Sequence, residues 1–405
     1  MIEEFDPNEI HTQADPPQKK RPKTLLLVIC WLLSLVLVGT TAALCAARAT
    51  TSESATIAEA AKVIRDNFYF IDDTDTNLID GALKGMVSSL GDPYAAYFTA
   101  DEYAELTKEQ SGNYTGIGVM IQLQDDGTHM LSVVYDGTPA AEAGLKEGDI
   151  LDTINGTSCE GLSLQDAVAL VKVNDGDVNT IVVRRGEQTI TCTVTAREVH
   201  TPAVSYKMLD GNIGYIYLSE FHGICVEEMQ TALSALREQG MQSLILDIRD
   251  NLGGSLSDVC DIADLFLPKD QVITSLRSRN GDEVVYRTDT DGLDLPIVLL
   301  VNGYSASASE LLAGALKDHD VAHLIGTKTY GKGIVQSYFY VQDTGGYIKI
   351  TTQAYYTPSG VCVQEEGITP DEVVELSEEA SGYSIRILPY ALDTQLQAAV
   401  AYLSN

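Results

Sequence analysis

The chain has 405 residues, 45% of them hydrophobic, and a formal net charge of −32 at pH 7. That length allows two or three domains, and that apolar content allows real cores. Five basic residues balance five acidic ones before Ala49, so the acidity belongs to the rest of the chain, which repels nucleic acid phosphates and anionic membrane surfaces. The seven cysteines are irregularly spaced, with Cys30 and Cys45 in an apolar run and Cys159, Cys192, Cys225, Cys260 and Cys362 beyond it. Such a set is no disulfide framework. Without a CxxC pair or a Cys/His cluster it predicts no metal site, and the cysteines read as small buried apolar residues.

In chain order, residues 1–24 form a short polar cytoplasmic tail. Leu25–Ala47 is an uncharged run, LLLVICWLLSLVLVGTTAALCAA, long enough as a helix to cross a hydrocarbon core of about 30 Å. Lys19, Lys20, Arg21 and Lys23 precede it and predict a cytoplasmic N-terminus with the body outside. The run exceeds the usual core of a cleaved signal peptide, so an uncleaved single-pass anchor in the cell membrane is expected, although small residues around Ala42–Ala47 leave cleavage open.

Residues 52–111 read as helical: Ile57, Ala61, Ile64 and Phe68, then Leu78, Ala82 and Met86, recur at helical spacings. Gly91, Asp92 and Pro93 break the pattern, and Thr99 is a candidate N-cap for a helix through Leu106. Residues 112–197 carry short strand patterns at Ile117–Leu123, Met130–Val134, Ile150–Ile154, Thr180–Val183 and Thr189–Val194, interrupted by helical stretches near Ala140 and Leu164. Residues 198–376 alternate strands and helices as an α/β core, with buried strands at Ser243–Ile248 and Ile297–Val301. The tail, residues 377–405, has a helical pattern from Leu388 and suggests no chemistry.

Gly137–Ser158, GTPAAEAGLKEGDILDTINGTS, closely resembles the middle of a PDZ domain, a small β-sandwich or barrel. Gly116, Ile117, Gly118 and Val119 then stand where such a domain has its carboxylate-binding loop. Successive backbone N–H groups there would hold a terminal carboxylate, and the next strand edge would take the peptide by β-addition.

Three segments could carry chemistry. In VNGYSASASELLAGALKD (Val301–Asp318) a buried strand turns through small residues into a helix, so a hydroxyl there would meet the free N–H groups of a helix N-terminus; alternatively its serines are only caps. In LIGTKTYGKGIVQ (Leu324–Gln336) Lys332 stands between two glycines; burial could lower its pKa toward that of a general base, and Gln336 could hold its amine, whereas the alternative is a solvated turn lysine. In LDIRDNLGGSL (Leu246–Leu256) a glycine pair follows a buried strand, where backbone N–H groups could line half an oxyanion hole or a phosphate cradle.

Together these segments, with GALKGMVSSLGDPYAAYFTADEY (Gly81–Tyr103) and YYTPSGVCVQEEGITPD (Tyr355–Asp371), resemble the carboxy-terminal processing peptidases, also called tail-specific proteases, over roughly residues 55–376. The resemblance implies Ser307 as nucleophile, Lys332 as general base twenty-five residues on, and Gln336 as the residue orienting the lysine. It implies an oxyanion hole from the backbone N–H groups of Gly253 and Ala308, with Arg249 and Glu310 as supports, paired with each other. No metal, cofactor or Ser-His-Asp triad is implied. Partners would be protein or peptide substrates with free C-terminal tails, with a homodimer through the helical region and an adaptor protein as further expectations. Two departures from the family pattern are Leu252 in place of proline before the glycine pair and the missing Gly-Thr in Val173–Val183. The alternative is a catalytically silent PDZ scaffold of the same fold.

Overall fold

Five consecutive residues are buried in each of the strands Ser243–Asp247 and Ile297–Val301, as a parallel sheet covered on both faces demands. They lie at the centre of a six-stranded sheet ordered Val204–Leu209, Ile213–Leu218, Ser243–Asp247, Ile297–Val301, Ala322–Gly326, Glu372–Val373, parallel except for its first pair. In the computed structural model residues 54–69, 77–124, 126–380 and 383–404 are described. The run Leu25–Ala47, the tail before it, Cys30 and Cys45 lie outside them. Among the described residues no helix is long and apolar enough to cross a membrane.

One face of this sheet, with Leu244, Leu246, Leu299 and Leu324, packs with the helices Cys225–Glu238, Leu256–Asp264 and Ala308–Asp318. The alternate residues Ile245, Val298, Leu300 and Ile325 face the other way and meet Leu396 and Ala399 of the C-terminal helix Thr394–Leu403. The tail is therefore part of the core, covering a face that period-2 alternation would otherwise leave bare.

A second sheet is antiparallel and five-stranded. Its long strand Gly346–Tyr356 pairs with Ile334–Val341 on one side and with Ala96–Phe98 and Val272–Ser278 on the other, and Glu283–Arg287 adds to the last. None of these strands was predicted as such, and Ala96–Phe98 falls inside the span read as helical.

The predicted strands between 112 and 197 form a separate sheet ordered Val119–Leu123, His129–Val134, Ile150–Ile154, Val178–Arg185, Gln188–Thr195, around a core that includes Leu131, Ile154, Ile181 and Val183. Asp149, which follows Gly148 in the PDZ-like stretch, is buried and bonded by both nitrogens Nε and Nη2 of Arg185 at 2.6 and 2.7 Å. The ion pair holds its carboxyl below the usual range although burial acts against that. Asn113–Gly116 and Arg197–His200 pair antiparallel where the chain enters and leaves this sheet.

By contacts the chain divides into Met1–Ala82 and Leu83–Asn405. In the first unit residues 54–67 are helical, with a Lys62–Asp66 ion pair one turn apart. The helix Leu78–Ser88 also forms as predicted, and Ala100–Gln110 runs one turn past the expected end. Thr99 caps it: its Oγ1 accepts from Glu102 N at 3.2 Å, and Glu102 Oε2 accepts from Thr99 N at 2.9 Å.

Candidate active site

The strand Ile297–Val301 ends in a turn that carries three serines into the helix Ala308–Asp318. Two of their hydroxyls are buried and committed. Ser305 Oγ donates to Ile248 O at 2.8 Å, and Ser309 Oγ donates to Asn251 O at 2.8 Å. Ser307 alone of the three is partly exposed, and its backbone is left-handed at φ 57°, ψ −113°. A residue with a Cβ is rarely held there, at a cost of order 1–3 kcal/mol. The turn thus presents one hydroxyl at a helix N-terminus, into a cleft of about 1090 Å³ that Lys332, Gly253, Ala308 and Gln336 also line.

The glycine pair packs directly on this turn. Gly253 has φ 105°, and a Cβ there would stand 2.7 Å from Ala306 O and 2.9 Å from both Ala308 N and Ser307 Cβ. Asn251, fully buried, organises the loop: its carbonyl accepts from Ala306 N and Ser309 Oγ, and its Nδ2 donates to Leu218 O. Its Oδ1 accepts from Gly253 N at 2.9 Å, so that predicted oxyanion donor is engaged within its own loop. Ala308 N opens the helix, where no intrahelical acceptor exists. Leu252, in the proline position, is 68% exposed and takes no part in this packing.

Lys332 is joined to Ser307 through two side chains. Glu310 is fully buried. Its Oε2 accepts from Ser307 N at 3.0 Å and Lys332 N at 2.8 Å, and its Oε1 accepts from Gly331 N at 2.7 Å and Thr329 Oγ1 at 2.6 Å. The Tyr355 hydroxyl lies 2.7 Å from Ser307 O and 2.6 Å from Lys332 O, one proton serving both carbonyls. Burial, then the Glu310 charge, pushes that phenol well above its ordinary pKa. At Gly331 and Gly333, Cβ atoms would stand 3.2 Å from Glu365 C and 2.5 Å from Gln364 N, so segment 364–367 passes against the lysine backbone.

The lysine side chain departs from expectation. Its Nζ lies over the ring of Tyr94, 4.3 Å from the centroid, while the Gln336 amide donates instead to Thr351 Oγ1 at 3.1 Å. Among the described residues no hydrogen bond joins Lys332 Nζ to Gln336 or to Ser307 Oγ. Burial first, and then the positive charge of Lys349, lower the Lys332 pKa from its ordinary value, with Asp92 and Glu310 opposing. The expected pairing of Arg249 with Glu310 is also corrected. Arg249 is wholly buried and bonded to Asp247 at 2.6 Å and to Asp393 at 2.8 Å, because its strand end faces the C-terminal helix while Glu310 is consumed by three backbone donors and the Thr329 hydroxyl. Tyr94, Tyr355, Asn251 and Asp393 were not singled out from the sequence. The first two stood inside the quoted stretches GDPYAAYF and YYTPSG, where a tyrosine beside turn residues was the available signal.

In the sheet of residues 119–195, Val119–Leu123 is an edge strand beside the helix Leu164–Ala169. Gly118 (φ 83°) bends the loop before it, and Thr138 fills the space a side chain there would need. Gly116 ends the preceding strand, and Ile117 is buried in the domain core. Among the described residues no cluster of His, Cys, Asp and Glu could hold a metal ion. The cysteines Cys159, Cys192, Cys225 and Cys260 are buried and unpaired, and burial pushes the Cys225 and Cys260 thiols up to about 12.

Residues 212–374 match the model of peptidase family S41, residues 130–185 that of a PDZ domain, and residues 40–102 that of the activating protease CtpB N-terminal domain. A carboxy-terminal-processing protease of Bartonella bacilliformis is 34% identical over 336 residues, covering 80% of this chain and 76% of that one. A CtpA-like serine protease of Staphylococcus haemolyticus is 30% identical over 367 residues, covering 83% of this chain and 73% of that one. This chain belongs to the S41 carboxy-terminal-processing peptidases. It is accordingly a serine-type peptidase with a PDZ domain. An S41 protease structure from Bacteroides fragilis shares the fold, with a TM-score of 0.58 at 18% identity over 85% of this chain and 96% of that one.

Proposed function

We propose that this S41 peptidase is a membrane-anchored endopeptidase that cleaves extracytoplasmic proteins near their C-termini through a Ser307–Lys332 dyad. The observation that carries the reading is the selection among three serines. Ser305 and Ser309 spend their hydroxyls on the fold, whereas Ser307 is held in a strained turn facing the cleft and tied to the Lys332 backbone by Glu310 and Tyr355. Neutral Lys332 takes the Ser307 proton and the oxygen attacks a peptide carbonyl; the C–N bond then breaks as Lys332 gives that proton to the departing amine, and water, deprotonated by Lys332, hydrolyses the acyl-enzyme to free Ser307. The oxyanion falls to Ala308 N–H and to Gly253 N–H, the latter after exchanging its bond to Asn251 Oδ1. Gln336 orients the amine once that amine has left Tyr94.

Recognition of substrate tails belongs to the loop Gly116–Val119 and its edge strand. The cleft runs from Ser307 to Met120 and Tyr135 of the PDZ domain, which supports gating by a bound peptide. Leu25–Ala47 provides the anchor, and the charges before it keep the N-terminus in the cytoplasm. The test uses the full-length chain in detergent with casein as an unfolded substrate. Cleavage by the parent, lost in both Ser307→Ala and Lys332→Ala, supports the dyad; equal cleavage by all three sinks it. Deleting residues 112–197 should alter rate or tail preference, and no change in either would end the gating idea.

A further inference from the structure

Gln336, expected at the lysine amine, turns away from it. Its amide holds Thr351 Oγ1 at 3.1 Å, on the strand that also pairs with the segment following Tyr94. Asp92 folds the Gly91–Tyr94 turn: its Oδ1 accepts from Tyr94 N at 2.9 Å and its carbonyl accepts from Ala95 N at 3.1 Å. The strand that follows is pinned by the pairing Ala96↔Lys349. The turn is thus fixed at both ends, with its ring face under Lys332 Nζ at 4.3 Å.

We propose that Tyr94 is a positioning residue for Lys332: its ring face holds the ammonium form and sets the pH above which the amine becomes available as a base. This rests on the Ser307–Lys332 reading. An aromatic face attracts a cation and has nothing comparable for a neutral amine, so it raises the lysine pKa against the burial that lowers it. The other charged groups acting on the amine are Lys349 on the neighbouring strand, Asp92 in the turn and Glu310 on the helix, while the Tyr330 phenol lies beside Tyr94 and the Tyr355 phenol bonds the Lys332 carbonyl. Tyr94 is the one whose replacement by leucine removes the ring quadrupole while keeping the amine covered.

The experiment follows kcat/KM for casein against pH in the full-length chain. Activity rises with pH as the lysine loses its proton. Tyr94→Phe keeps the ring face and should leave that limb in place. Tyr94→Leu should move it down by about half to one and a half pH units, the equivalent of a partly desolvated cation–π contact. A Leu variant whose limb coincides with the parent's, or lies above it, overturns the proposal. Lys332→Ala separates the two ideas: if it retains the parent's rate and limb, the dyad fails. If it abolishes cleavage while Tyr94→Leu leaves the limb unmoved, only the role of Tyr94 fails. Should the Leu variant not fold, the parent alone decides by NMR. A lysine ε-methylene resonance shifted upfield by the ring, absent in Lys332→Met and titrating with the limb, is expected; its absence from the parent overturns the proposal.

Discussion

Among the described residues Glu310 is a buried carboxylate without a cationic partner in contact, held instead by four donors from two segments of the protein, Ser307 and Thr329–Lys332. Each oxygen takes two of them, which uses the acceptor capacity of a carboxylate in full. The consequence is geometric: Ser307 and Lys332, far apart in sequence, have their backbone nitrogens on one oxygen atom. Replacement by glutamine keeps the volume but turns one end into a donor that confronts two existing donors. Glu310→Gln should therefore lower unfolding free energy by about 2–4 kcal/mol, since two buried N–H or O–H groups lose their acceptor. Casein cleavage should fall at least tenfold, because the separation between hydroxyl and amine is no longer fixed. A urea titration at constant m-value beside a rate measurement checks both halves, and an unchanged midpoint would mean that the four bonds contribute nothing net.

At the scale of elements, the glycine loop and the serine turn are one packed unit. Gly253 holds φ 105°, and a Cβ there would stand 2.7 Å from Ala306 O and 2.9 Å from Ser307 Cβ, closer than a side chain tolerates. Gly253→Ala should unfold the loop from the turn and cost 10²- to 10³-fold in kcat, the usual effect of losing an oxyanion donor, with a smaller effect on KM. A variant with kcat near the parent's would remove Gly253 from the site. Elements of this kind were legible in the sequence, because a buried aliphatic strand, a small-residue turn and a helix follow one another within twenty residues. The antiparallel sheet was not. In Ile334–Val341 and Gly346–Tyr356 nearly every residue is half-buried, so no clean alternation of apolar and polar residues marks a face. The strand Ala96–Phe98 is three residues long and exists by pairing with residues two hundred and fifty positions away. For the same reason Tyr94 could not be placed at Lys332 from local pattern, although both lay in recognised stretches.

At the scale of the whole unit Leu83–Asn405, the C-terminal segment joins parts that the sequence order separates. Asp393 caps the last helix through Leu396 N and completes the buried Arg249 cluster with Asp247 and Gln395, two residues before the loop that Asn251 organises. A few residues earlier Arg386 makes the corresponding join to the PDZ domain. Its Nη1 donates to Tyr135 Oη at 2.7 Å, its Nη2 donates to Pro202 O at 3.1 Å, and its guanidinium lies over the rings of Tyr135 and Tyr217. One cation therefore holds a PDZ residue, the connector out of that domain and the second strand of the core sheet. Arg386→Ala removes a charge-assisted hydrogen bond of about 1.5–3 kcal/mol without touching the interior of any domain. Opening of the connector should become roughly tenfold more frequent, at about 1.4 kcal/mol per factor of ten. Hydrogen exchange should then quicken in Arg197–Val204 and around Tyr135, while Leu131, Ile181 and Val183 in the PDZ core keep their protection. If the connector exchanges as slowly as in the parent, the antiparallel pair Asn113–Gly116 with Arg197–His200 holds the domain by itself, and Arg386 is not the joint.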